Sequence, residues 1–162
     1  MRIRFISAGG TIDKIYFDQL SQYQVGPPGV ERILQDLPLN FEYVVESILR
    51  KDSLDMTEAD RDLVRDAVER AAEEHLVITH GTDTMIDTAR RLEGIPSKRI
   101  VLTGAMQPAN FHKSDAIFNV GFATGVVQSL REPGVWIAMS GLVFDPWKAR
   151  KNHEKGIFMH EP

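Results

Sequence analysis

The chain has 162 residues, 43% hydrophobic and 26% charged, with a formal net charge of −4, the size and balance of one globular domain able to bury a sizeable core. No lysine- or arginine-rich face stands out, which argues against nucleic acid or an anionic membrane surface as a partner. Cysteine is absent, which excludes disulfides, thiolate zinc sites and a cysteine nucleophile; no apolar stretch is long enough to span a bilayer, Met1–Ile6 is too short for a secretion signal, and the expected location is cytoplasmic.

Arg2 to Ser7 reads as a strand on Ile3, Phe5 and Ile6, and Gly9-Gly10 permits a tight turn after it. Thr11 to Gln24 has no helical or strand period, so a long loop is expected, and a loop of that length in a compact domain is usually functional, often a lid. Val30, Ile33, Leu34 and Leu37 predict a short amphipathic helix stopped by Pro38. Phe41 to Leu49 is a second strand, ending in the turn Lys51-Asp52-Ser53-Leu54-Asp55-Met56.

Thr57-Glu58-Ala59-Asp60 opens the next helix like a capping box with Asp in its fourth place. Ala59, Leu63, Ala67 and Ala71, with Val64 and Val68, predict its apolar stripe, leaving Arg61, Arg65, Glu69 and Arg70 to water. Leu76-Val77-Ile78 is a buried strand followed by a helix to about Leu92, closed by Gly94-Ile95-Pro96. Ile100-Val101-Leu102 is the fourth strand, and Ala109 to Lys113 a loop. Ser114 caps a helix to about Leu130, with Asp115 in its first turn. That helix is apolar nearly all round, which predicts burial on more than one side, by the sheet and another helix or by a second subunit. Val135 to Met139 is a fifth strand, and the tail from Ser140 mixes Leu142, Val143, Phe144 and Trp147 with Lys148, Arg150 and Lys151. Strand and helix alternate about five times, which predicts an α/β fold: one domain over 1–162 with a doubly wound, mostly parallel sheet, right-handed crossovers and helices on both faces.

Three polar, glycine-bearing turns then fall at strand carboxyl ends: Ser7–Asp13, Thr79–Met85 and Thr103–Pro108. That edge is where open α/β sheets bind ligands. The turns lack both G-x-G-x-x-G and a phosphate-loop lysine–hydroxyl pair, so nucleotide binding is a weak reading. They can be plain connections in which Thr and Asp act as caps. The chemical alternative is acyl transfer on a small amide or ester. Thr11 or Thr82 supplies a hydroxyl nucleophile, which needs an adjacent base, and Asp83 with a lysine from the tail can form that relay. Backbone N–H groups of Gly9-Gly10-Thr11 can serve as an oxyanion hole. His80 ends a buried strand and reads as structural, and the five histidines have no metal-site spacing, so no histidine metal site is expected.

Gly9-Gly10-Thr11-Ile12 and His80-Gly81-Thr82-Asp83-Thr84-Met85 resemble the two signatures of the bacterial-type L-asparaginases and glutaminase-asparaginases. Ser21–Gly26 resembles the lid segment of that family, Asp52–Met56 its substrate-carboxylate turn and Val101–Pro108 a further segment, while Lys151 falls where the catalytic lysine stands. The resemblance implies Thr11 as the acylating nucleophile, Tyr23 beside it from the lid, and Thr82, Asp83 and Lys151 as a second triad. It further implies Ser53 on the substrate α-carboxylate, Asp83 on its α-ammonium, and Gly10, Leu54, Gly81 and Ala105 lining the substrate. The implied reaction converts L-asparagine to L-aspartate and ammonia without metal or cofactor. Ala8 stands where many members have threonine, and Leu54 where some have a polar residue. Familiar members are roughly twice as long, with neighbouring subunits that complete each site and a second domain whose absence is expected here. A homo-oligomer, dimer or tetramer, is therefore expected, with the segment Trp147–His160 of a neighbour as a candidate to close the site. The rivals are an amidase for another small amide, such as glutamine, and a non-catalytic amino-acid-binding domain.

Overall fold

A computed structural model describes residues 1–161. Its centre is a six-stranded sheet. β1 (Arg2–Gly9) is followed by a short antiparallel hairpin, β2 (Lys14–Phe17) and β3 (Gln22–Val25), then by helix α1 (Gly29–Gln35) and strand β4 (Glu42–Lys51). Next come α2 (Glu58–Arg70), β5 (His75–Thr79), α3 (Met85–Arg91), β6 (Arg99–Thr103), α4 (Ala116–Ser129) and β7 (Gly134–Met139). β8 (Leu142–Phe144) turns back along β7, and β9 (Ala149–Asn152) pairs with β10 (Ile157–His160). The sheet order is β4-β1-β5-β6-β7-β8, parallel through β7 with β8 antiparallel at the edge.

The two-residue period of a strand divides the core between the two faces of the sheet. Ile6, Leu76, Ile78, Ile100, Leu102 and Ile137 meet Val64, Ala67 and Val68 of α2 and Met85 and Ala89 of α3. The alternate positions Ile3, Phe5, Val77, Val101 and Ala138 meet Val30, Ile33 and Leu34 of α1 and Val120, Ala123 and Val127 of α4. Both faces are thus covered, and every parallel strand delivers its carboxyl end to the same edge.

Four details differ from the sequence expectation. Thr11–Gln24 is not a structureless loop: after one 3-10 turn (Thr11–Asp13) it forms the β2–β3 hairpin, with Tyr16 opposite Tyr23. The buried face of α2 is rotated: Leu63 is 49% exposed, whereas Arg61 is buried and donates to the Met56 carbonyl and the Glu58 carboxylate. The Thr57–Asp60 capping box is present as expected. No second helix covers the outer face of α4, whose Ile117 and Phe118 are 58% and 60% exposed within this chain. Ser114 accepts the Ala116 amide at its start, but Asp115 turns back to accept from the Met106 and Gln107 amides. Finally, the tail is a hairpin on its own chain, anchored by buried Ala149 and Phe158 in the α2–α3 side of the core.

Candidate active site

Glycines bring the turns at the sheet's carboxyl edge into contact. A β-carbon on Gly10 would lie 2.3 Å from the Gly81 α-carbon. One on Gly81 would lie 2.5 Å from Ser53 Oγ, and one on Gly104 would lie 2.4 Å from the His80 carbonyl oxygen. Only backbones without side chains can approach this closely. The ends of β1, β4, β5 and β6 therefore meet at one place, with Thr11, Ser53, Thr82 and Asp83 on adjoining residues. His80 fixes the β5 turn rather than offering a base. Its Nδ1 lies 2.8 Å from the Gly81 carbonyl oxygen and its Nε2 2.8 Å from Thr88 Oγ1. Burial depresses its pKa to about 4, against a smaller opposing effect of the Gly81 carbonyl, so the ring is neutral at neutral pH.

Lys151 reaches this cluster from β9. Its Nζ donates to Thr82 Oγ1 at 2.7 Å and to Asp83 Oδ1 at 2.6 Å. The lysine side chain is 11% exposed and the aspartate 29%, so the pair is shielded but not sealed. Cross-strand pairing of Lys151 with Phe158, whose ring is in the core, holds β9 in place. Thr82 is 5% exposed, and Thr84 Oγ1 ties the same turn to the Ser53 carbonyl at 2.8 Å.

Thr11 and Tyr23 share the wall of an open cavity of about 370 Å³ with Lys14, Met106, Gln107, Pro108 and Phe111. Tyr23 is half exposed and packs edge-on against Tyr16 (5.4 Å between centroids) and Phe111 (5.9 Å). Ser53 is buried, and its hydroxyl has no hydrogen-bond partner among the described residues. Leu54, next to it, is 71% exposed, so the two neighbours face different surroundings. Ala105 is buried among α4 and sheet residues. The Gly10 amide donates to the Lys51 carbonyl at 2.9 Å, so this N–H of the expected oxyanion turn is already engaged.

Sequence reading gave no role to several residues that build the site. Asp13, buried beneath the Thr11 turn, accepts from Ser7 Oγ and from the Gly29 amide, each at 2.6 Å. Burial raises its pKa to about 6, although both hydrogen bonds and Arg50 pull the other way. Lys14 forms an ion pair of 2.7 Å with Asp52, tying the hairpin to the turn that holds Ser53. Burial works to raise the Asp52 pKa, but Lys14 and the Leu54 and Ser53 amides outweigh it and leave it lowered. His153 Nδ1 lies 3.6 Å from Asp83 Oδ1 on the solvent side. Asp13 ends the first glycine turn and Lys14 follows it; their roles depend on partners distant in sequence. Among the described residues no group of three or more His, Cys, Asp or Glu side chains is placed to hold a metal, and no helix is long and apolar enough to cross a membrane.

Fold and site together define a doubly wound α/β domain with a threonine–aspartate–lysine cluster at the carboxyl edge of its sheet. The chain belongs to the asparaginase family, whose N-terminal domain profile matches residues 2–159. It is 34% identical over 119 residues to the glutaminase-asparaginase of Acinetobacter glutaminasificans, an alignment covering 71% of this chain and 34% of that protein. It is 29% identical over 134 residues to L-asparaginase 2 of Escherichia coli K12, covering 77% of this chain and 38% of that protein. The thermostable L-asparaginase of Thermococcus kodakarensis superposes with a TM-score of 0.86 at 24% identity, over 99% of this chain and 51% of that one. The match thus spans about half, or less, of the length of these relatives.

Proposed function

We propose that the chain hydrolyses the side-chain amide of L-asparagine, giving L-aspartate and ammonia. The observation that carries this reading is Lys151 Nζ, bonded to both Thr82 Oγ1 and Asp83 Oδ1 next to the glycine contact that adjoins Thr11. A shielded lysine bonded to a hydroxyl has little use in a passive binding site. Within a proton relay it has one.

In this reading Thr11 Oγ1 attacks the amide carbon and gives up its proton, and the amide nitrogen takes a proton and leaves as ammonia. Water then attacks the resulting ester, freeing aspartate and returning a proton to Thr11. Thr82, Asp83 and Lys151 pass the protons and polarise the attacking water. The buried Ser53 hydroxyl, unpaired within the described chain, takes the substrate α-carboxylate, and Asp83 takes the α-ammonium. Gly10 and Gly81, by lacking side chains, let the two turns meet beside the substrate, and Leu54 and Ala105 flank it. Tyr23 closes over Thr11 from the hairpin. The working form is a homo-oligomer, a dimer or tetramer. The exposed Ile117 and Phe118, on a helix without charge from Ala116 to Ser129, supply the apolar surface it needs.

The test is ammonia release from purified protein with L-asparagine and, in parallel, L-glutamine, alongside Thr11→Ala. Release from asparagine that disappears in the variant supports reaction and nucleophile together. Release from glutamine alone moves the substrate, and full activity in Thr11→Ala sinks the mechanism. A strictly monomeric, active species in light scattering would overturn the oligomer.

A further inference from the structure

Asp13 is buried, charged at neutral pH and unused by the reaction above. It makes four contacts. Its amide donates to the Gly10 carbonyl at 3.1 Å, which closes the 3-10 turn that carries Thr11. Its own carbonyl accepts the Gly26 amide at 2.8 Å. Its carboxylate accepts Ser7 Oγ from β1 on Oδ2 and the Gly29 amide, at the start of α1, on Oδ1, each at 2.6 Å. The hairpin that carries Tyr23 begins at Lys14 and ends at Val25. Asp13 immediately precedes it and Gly26 immediately follows it, so the Asp13–Gly26 bond joins its two ends at the base. The carboxylate then fastens that base to the central sheet and to α1. Packing there is tight: a β-carbon on Gly29 would lie 2.6 Å from the Ile12 carbonyl oxygen and 3.3 Å from Asp13 Oδ1.

A buried carboxylate is costly unless its oxygens are bonded, and its two short bonds run to segments that are separate in sequence. From this geometry we infer that Asp13 is the positioning residue of the site: its carboxylate locks the base of the Lys14–Val25 hairpin to the sheet, which fixes Thr11 and carries Tyr23 across the cavity above it. The inference rests on the reading of Thr11 as nucleophile and of the hairpin as its cover. Asp13 touches no substrate.

The experiment uses the full chain with Asp13→Ala, Asp13→Asn and Ser7→Ala. It reads steady-state ammonia release and hydrogen exchange of the β2–β3 amides. Asp13→Ala is expected to lower kcat/KM by about tenfold or more, through kcat as Thr11 is misplaced and through KM as its cover loosens, and to speed exchange of the hairpin amides selectively. Asparagine has the same shape and can accept from Gly29 while donating to Ser7, so Asp13→Asn should recover most of both effects. Ser7→Ala, which removes one of the two bonds, should fall between and serves if Asp13→Ala does not fold. Unchanged kcat/KM and hairpin exchange in Asp13→Ala, or in Ser7→Ala where the first variant is unfolded, would overturn the inference. Selective loosening of the hairpin in a protein that releases no ammonia from any amide would sustain the anchoring role and reject the reading of the reaction.

Discussion

Lys151 Nζ lies 2.7 Å from Thr82 Oγ1, across 69 residues of sequence. The hairpin β9–β10 is present at the site through this contact and the companion bond to Asp83. Thr82→Val and Lys151→Met should therefore each cut kcat by roughly two decades or more, as loss of a general base or its relay does, and the double variant should cost little more than either single. Additive losses in a double-mutant cycle would show that the two residues do not act as one unit.

The glycine contacts make a second, steric prediction. Gly10 has a φ of +90°, and its β-carbon would meet the Gly81 backbone at 2.3 Å; on Gly81 it would meet Ser53 Oγ at 2.5 Å. Gly10→Ala is strained in backbone and packing together, and should lower stability by about 1–3 kcal/mol while abolishing activity. Gly81→Ala has no such φ penalty and displaces mainly Ser53, so it should raise KM while leaving the melting temperature nearer to wild type. Equal effects of both on stability would contradict this ranking of strain.

Much of this was legible in the sequence, because a half-dozen strands and helices each carry their own period. The alternation of Leu76, Val77 and Ile78, or of Ile100, Val101 and Leu102, between the two core faces is written locally. The β2–β3 hairpin was not legible: each strand has four residues, largely exposed, and what defines them is pairing across the turn, such as Tyr16 with Tyr23. A stripe argument counts arginine as polar and leaves Arg61 to water, whereas its guanidinium finds the Met56 carbonyl inside. Asp13 was visible but mute, since its partners Ser7 and Gly29 stand 6 and 16 residues away.

Two buried groups predict opposite dependences of stability on pH. His80 has a folded pKa of about 4 against 6.5 ordinarily, so its contribution is present above pH 6.5 and is lost as pH falls through about 4. Asp13 has a folded pKa of about 6 against 3.8, so its contribution is present below pH 3.8 and is lost as pH rises through about 6. Each amounts to about 3 kcal/mol across its window, and between pH 4 and 6 they oppose each other. Relative to wild type, Asp13→Asn should gain stability as pH rises from 4 to 6, and His80→Gln should gain as pH falls from 6.5 to 4. Chemical denaturation at several pH values reads both slopes, and a reversed sign in either would show that the group is not held in its less charged form by burial.

The Lys14–Asp52 ion pair joins the hairpin to the turn before Ser53, with both side chains about 70% buried (28% and 30% exposed). Lys14→Met keeps the stem and removes the charge. It should raise KM by about fivefold, with little change in stability, because a part-exposed pair contributes about 1 kcal/mol at most. High salt should reproduce part of the effect in wild type and none in the variant. A KM that is salt-independent in wild type would separate this pair from substrate binding.

Tyr23 is the residue whose role hangs most on its hydroxyl, because its ring already has partners. It packs against Tyr16 and Phe111 at 5.4 and 5.9 Å, contacts worth about 0.5–1.5 kcal/mol beyond area burial, and Tyr23→Phe leaves them intact. If the hydroxyl hydrogen-bonds near Thr11 when the hairpin closes, Tyr23→Phe should lower kcat by tenfold or more, within the range for a positioned proton-transfer group, at unchanged melting temperature. Tyr23→Ala, which also removes the ring from the cavity wall shared with Thr11, should raise KM in addition. Steady-state rates for the two variants separate the roles of hydroxyl and ring. Full kcat in Tyr23→Phe would reduce Tyr23 to an aromatic cover and leave Thr82, Asp83 and Lys151 as the whole of the proton path.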